Sequence, residues 1–348
     1  MTSASPCSNA YSDADVLDDL PTATLRSPSG AELAVALRGA TVLAWRAPWR
    51  TADGQVHLAD LVDGYADAAE LRAQDASRSA LMIPFANRVA GGTFTFDGAR
   101  HVVPPVLERE PVTFHGFARV LDWEVEDPTT GSLDGPDGAA RPSLALAARV
   151  RAGDAAGYPF DLDLGVRYTL VASGLRVRWS VRNVGAGDAP VTSGWHPYFR
   201  LPGRDRIDDL VLEVPARTAI VTDEDQIPLG GEAARVAIDG VGPLPLAGLR
   251  YDHAFWDLVP GPDGRARTRL TDPATGQGIE VWQTGGGMHV FTGDGLGPRA
   301  RTSIALEPVS ALTDAFNRED SVGAVRLAPG DEHVMEVGVD VVASVPGV

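Results

Sequence analysis

From about residue 25 onward, apolar and polar side chains alternate along most of this chain. In FDLDLGVRYTL, residues 160–170, Phe160, Leu162, Leu164, Val166, Tyr168 and Leu170 fall on one side. Asp161, Asp163, Arg167 and Thr169 fall on the other. A period of two marks a strand with one buried face. LRVRWSVRN follows, with Leu175, Val177, Trp179 and Val181 opposed to Arg176, Arg178, Ser180 and Arg182. The VASG between them predicts a tight turn, so the two runs predict a hairpin. ELAVALR, TFTFDG, SLALAARV, IEVWQ and HVMEVGVDVV repeat the period, punctuated by 38 glycines and 26 prolines. Only YADAAELRAQD, residues 65–75, reads as a short helix. The pattern predicts an all-β protein, a large antiparallel β-sandwich with more than one packed sheet. With no repeat and no change of composition regime, residues 25–345 are expected to form a single domain behind a flexible leader, residues 1–24, rich in Ser, Asp and Ala. DPTTGSLDGPDGAARP, residues 127–142, predicts a surface excursion between strands, as do PGRDRIDD near 202 and PGPDGRAR near 260.

Composition narrows the chemistry. At 348 residues and 44% hydrophobic, the chain has the material for a large core. Its formal net charge of -17 repels phosphate backbones, so no nucleic-acid partner is expected. Every basic side chain apart from histidine is arginine. Without lysine there is no Schiff base, no pyridoxal phosphate site and no P-loop. The single cysteine, Cys7, can form neither an internal disulfide nor a thiolate cluster. The first twenty residues lack the basic start and apolar run of a secretory signal, and no stretch of eighteen apolar residues occurs. No membrane association and a cytoplasmic location are the expectations.

Five segments set polar groups in apolar strand or turn context. NRVAGG offers Asn87 and Arg88, the latter a multi-donor contact for a polar ligand or a structural ion pair. FHGF places His115 beside Gly116, which permits close approach of a ligand or of backbone. In GWHPYF, Pro197 holds His196 extended. His196 is then a packed core residue, a metal ligand or a proton-transfer group, with Trp195, Tyr198 and Phe199 as an apolar wall. YDHAFW gives Asp252 beside Phe255 and Trp256. IALEP gives Glu307 after an apolar run, where partial desolvation would raise its pKa toward the useful range for a base. The 7 histidines form neither HxxxH nor HExxH, so no metal is expected, and TGGGMHVFTGDG lacks the spacing of a phosphate loop and predicts tight turns.

Taken in order, NRVAGGTFTFDG (87–98), FHGFAR (114–119), WHPYF (195–199), YDHAF (251–255) and IALEPVSALTDAFN (304–317) resemble the aldose 1-epimerase family, the sugar mutarotases. The resemblance implies a galactose mutarotase-like β-sandwich and an enzyme that interconverts the anomers of a free hexose such as glucose or galactose, without a cofactor or metal. Residue by residue, it implies Glu307 as general base and His196 as general acid. It implies Arg88, His115, Asp252 and Asn87 as sugar-positioning groups, with Trp195, Phe255 or Trp256 stacking on a sugar face. GWHPYFRL departs from the galactose-specific members and resembles a broader bacterial branch. The expected partner is a monosaccharide, and the expected assembly a monomer or homodimer. Three alternatives stay open: a hexose-6-phosphate epimerase using Arg200, Arg204 and Arg206, a non-catalytic carbohydrate-binding or regulatory module, and a glycoside-processing enzyme with paired carboxylates.

Overall fold

The computed structural model describes residues 11–12, 16–17, 19–51, 54–126, 132–134, 140–172, 174–321 and 323–342. Among these the architecture is all-β, with antiparallel pairing between all the extended strands. A ten-stranded and an eight-stranded sheet dominate, beside a six-stranded sheet built from the N-terminal part.

The expected hairpin forms the middle of the ten-stranded sheet. Leu162–Val171 pairs with Gly174–Asn183, and Val166 lies opposite Trp179. The next strand over is Glu332–Val342, followed by Gln277–Gln283 and Ala266–Asp272. Their apolar faces bury Leu164, Tyr168, Val177, Trp179, Val281 and Val337. These join the same hydrophobic cluster as Trp195, Phe199, Phe255, Met288, Val290, Ile304 and Leu306 of the eight-stranded sheet. The core is therefore the layer between the two large sheets, and the alternate residues of the eight-stranded sheet are left facing the other way.

The sheet begins earlier than expected. Leu20–Arg26 is a strand with Thr22, Ala23, Thr24 and Leu25 buried, pairing with Glu32–Ala36. This corrects the proposed end of the leader at residue 24. Small residues such as Thr and Ala carry little alternating contrast, so the strand is invisible to a hydrophobic period. Residues 1–10, 13–15 and 18 of the proposed leader lie outside the described residues. So do 127–131 and 135–139 of the proposed 127–142 excursion. Its remaining residues are extended, Ser132–Asp134 pairing with Ala140–Pro142. The one α-helix among the described residues, Ala68–Ala73, lies within the predicted span. Asp67 caps it, accepting from the Glu70 backbone N–H at 2.8 Å. It ends at Gln74 in a left-handed conformation, and the chain turns so that Ala76 and Ser77 reach the cavity described next.

Candidate active site

Strand register alone assembles the centre of the site. In the eight-stranded sheet, Ile304–Val309 lies between Gly287–Phe291 on one side and Gly194–His196 with Tyr198–Phe199 on the other. His289 is paired directly with Glu307. Pairing of Gly194 with Val309 and of Tyr198 with Ala305 puts His196 across from Glu307 on the opposite flank. Asp252–Leu258 adds the next strand, with Asp252 opposite Phe291. Because opposed residues share a face, His196, Tyr198, Glu307, His289, Phe291 and Asp252 all point away from the core. Two loops close the site from above. The Asn87 carbonyl accepts from the His115 N–H at 2.9 Å, and Arg88 bridges Phe114. Asn87 and His115 both sit in the left-handed region, with φ of 57° and 60°. That conformation costs strain for residues with side chains and is common where a side chain must be aimed.

These residues line a cavity of about 270 Å³, together with Ser77, Phe114 and Leu296. That is just below the usual span of ligand pockets, about 300–1,000 Å³. His196 Nε2 stands 3.3 Å from Glu307 Oε1, and both residues are buried. His289 Nε2 is bonded to Asp252 Oδ1 at 2.8 Å. The Arg88 guanidinium is steadied by a neutral group, donating to Asn87 Oδ1 at 3.1 Å. The His115 ring meets the His196 ring edge-on at 5.1 Å, and His196 stacks on Tyr198 at 5.2 Å. Glu307 Oε1, His196 Nδ1 and His115 Nδ1 are buried without a hydrogen-bond partner. Buried polar atoms are normally satisfied, and these three unpaired atoms all belong to residues that line the cavity.

Burial and charge set the protonation. Burial pushes the Glu307 carboxyl up to about 8, against the pull of His289. Burial, aided by the charge of His289, pushes His196 down to about 3. Burial likewise holds His115 well below its usual range, with His196 and Arg119 adding to the effect. His289 is the exception: burial opposes its charge, but Glu307 and Asp252 outweigh burial and raise it. Burial would also raise Asp252, yet its hydrogen bond to His289 and that ring's charge hold it at about 2. The free site thus bonds Asp252 to a His289 held above its usual range and, beside it, sets a protonated Glu307 facing a neutral His196.

The profile of the aldose 1-epimerase family matches residues 21–339. The chain belongs to the aldose 1-epimerase family. Galactose mutarotase of Homo sapiens is 29% identical over 301 residues, covering 81% of this chain and 83% of that protein. The uncharacterized protein YihR of Escherichia coli K12 is 24% identical over 261 residues, 73% of this chain and 75% of that one. Two solved structures share the fold. A galactose mutarotase-like protein from Clostridium acetobutylicum gives a TM-score of 0.77 at 13% identity, covering 96% of this chain and 98% of that one. Galactose 1-epimerase from Lactobacillus acidophilus gives 0.71 at 18% identity, covering 96% and 98%.

In this aldose 1-epimerase family member, the structure brings six of the seven expected site residues to one cavity: Asn87, Arg88, His115, His196, Asp252 and Glu307. Trp195 is the correction. It is 0% exposed, pairs with Leu81 and meets Phe199 edge-on in the core. A neighbour of His196 in an extended strand must face the opposite way. Phe255 is in the core for the same reason, and Trp256 packs on Met82, Ala86 and Val309. The aromatic walls are instead Phe114, Tyr198 and Phe291. His289 is a cavity residue that the motifs did not point to. The glycines of TGGGMHVF dominate its segment, and its one local signal is a lone histidine in the strand-like run MHVF.

Proposed function

We propose that this chain interconverts the α and β anomers of a free aldohexose by ring opening and closure. The observation that carries this is the buried His196–Glu307 pair, 3.3 Å apart at the wall of a monosaccharide-sized cavity. Glu307 as carboxylate takes the proton from the anomeric hydroxyl while His196 as imidazolium protonates the ring oxygen. The C1–O5 bond breaks, the aldehyde turns about C1–C2, and closure on the other face returns both protons. No atom is gained or lost, and the pair holds one proton throughout.

The resting protonation bears on this sequence. Neutral His196 beside protonated Glu307 is the state the pair reaches once the ring is open. The free site is therefore poised for the open aldehyde, and a cyclic sugar is engaged by transfer of that one proton from Glu307 to His196. Arg88 and His115 are close enough to donate to ring or hydroxyl oxygens, and Asp252 to accept from hydroxyls, which fixes the sugar against the pair.

A free sugar is favoured over a sugar phosphate by what surrounds the arginines. Arg200 is bonded to Asp60, Arg204 to Asp272 and Arg206 to Asp208, and none of the three lines the cavity. Fresh α-glucose and α-galactose, followed by optical rotation, should equilibrate well above the buffer-catalysed rate. Absence of acceleration for any free or phosphorylated aldose from pH 6 to 8 would remove the proposed activity.

A further inference from the structure

Glu307 is flanked on the sheet face by two imidazoles, one on each neighbouring strand. His196 was expected from the sequence and has an assigned role in ring opening. His289 has none. Yet His289 is paired residue-for-residue with Glu307 in the sheet, is 7% exposed, and lines the same cavity. Its ring is not free to turn, because Nε2 is bonded at 2.8 Å to Asp252 Oδ1 from the next strand. The charged and titratable groups facing Glu307 are then His196 on one flank, His289 and Asp252 on the other, and Arg88, with His115 above and Tyr198 at the side.

We propose that His289, clamped by Asp252, is a positioning residue that sets how Glu307 and His196 share their proton. It rests on the proposed epimerase activity for its purpose, but the protonation effect is measurable without catalysis. A cation on the far side of Glu307 from His196 favours carboxylate on Glu307 and disfavours a second cation at His196. Both sites hold a proton less tightly, and Glu307, paired directly with His289, more so than His196 on the opposite flank, so the shared proton is moved toward His196. Without His289, Glu307 would be driven further up by burial and would be a poorer base, while His196 would hold a proton more readily. Asp252 keeps the histidine charged inside a buried site, so the diad is one unit spanning two strands. The direct role of a cavity wall, a hydrogen bond to a sugar hydroxyl, would leave the titration of Glu307 unmoved.

The test substitutes His289→Gln, which keeps a hydrogen-bonding side chain and removes the charge. Glu307 is followed by carboxyl carbon NMR in the ligand-free wild-type and variant proteins. The expected result is an upward move of the Glu307 midpoint by about half a unit or more. The pH profile of turnover should show both limbs displaced to higher pH, with kcat reduced about three- to tenfold at pH 7 and KM changed less. One unit of displacement is a tenfold change in proton partition. An unmoved Glu307 midpoint, or a rise in KM with both limbs in place, overturns the inference while leaving the epimerase proposal intact. A wild-type protein without epimerase activity but with the displaced midpoint would do the reverse. Should His289→Gln fail to fold, ring nitrogen NMR of the wild-type protein decides: His289 must be protonated at pH 7, and a neutral ring there refutes the proposal.

Discussion

At neutral pH, Glu307 and His196 hold one proton between them, and burial decides where it rests. Ordinary side-chain values would give the acidic limb of a rate profile to the carboxylate and the basic limb to the imidazolium. The shifts invert that order. Below about 3 His196 gains a second proton for the pair, and above about 8 Glu307 loses the last one. Turnover should stay high between these values and fall outside them, as a pH–rate profile would record. Glu307→Gln and His196→Asn should each lower turnover about 10² to 10⁴-fold per folded molecule. Retention of a third of wild-type turnover by either folded variant would remove that residue from the chemistry. The same shift has a consequence for stability. Glu307 has its folded value, about 8, above its unfolded value of 4.5. Its contribution is therefore fully present below 4.5 and is lost as pH rises through 8. Glu307→Gln cannot ionise, so its stability relative to wild type should improve from pH 5 to pH 8.5. Even one unit of separation is about 1.4 kcal/mol, enough to see in urea unfolding curves at the two pH values. A relative stability that does not change with pH would show that the buried carboxyl is not the cause.

At the scale of elements, the site is a consequence of three adjacent strands keeping register. Two glycines on the site face help to hold it. A Cβ on Gly287 would lie 2.1 Å from the Trp256 ring, and one on Gly194 2.6 Å from Met82 Cε. Trp256 is a rigid group already packed on Val309 and Met82, so it has little room to retreat. Gly287→Ala should therefore cost about 1–3 kcal/mol, the usual range for overpacking, read as a lower urea midpoint. Turnover should fall as well, because Gly287 opens the strand that carries His289. Gly276, in a turn with nothing within 4 Å of its added Cβ but a φ of +68°, is a useful contrast. Gly276→Ala meets only backbone strain far from the cavity residues and should leave kcat unchanged. Equal loss of kcat in both variants would contradict a specific role for the site strands.

Over the whole molecule, the dominant property is a formal net charge of -17. Many arginines are tied to carboxylates: Arg301 to Asp208 and Asp294, Arg299 to Glu70, Arg326 to Asp97 and Asp188. They are not free to meet a phosphate. Glucose 6-phosphate should thus have a kcat/KM well below that of glucose, with the gap narrowing as added salt screens the repulsion. A preference for the phosphorylated sugar would reverse the assignment of substrate. Chelation by EDTA should leave the rate unchanged, because the proton transfers described need no metal.

The sequence by itself determined the fold class and most of the site's chemical inventory. Period-two alternation is a local consequence of strand geometry, so FDLDLGVRYTL and LRVRWSVRN could be read as a hairpin before any partner strand was known. The five motifs named Glu307, His196, Arg88, His115, Asp252 and Asn87 through the family resemblance that their order carries; a proline beside His196, a glycine beside His115 and an apolar run before Glu307 also mark those three locally. Facing and partnership were decided only by the tertiary structure. Whether Trp195 or His196 meets the cavity depends on which face of the strand the core covers, and the core is made by the distant ten-stranded sheet. His289 becomes a neighbour of Glu307 only when two strands pair in one register, since a slip of one residue would turn it to the other face. The reversed protonation of Glu307 and His196 likewise arises from burial, which no residue has until the sheets close over it.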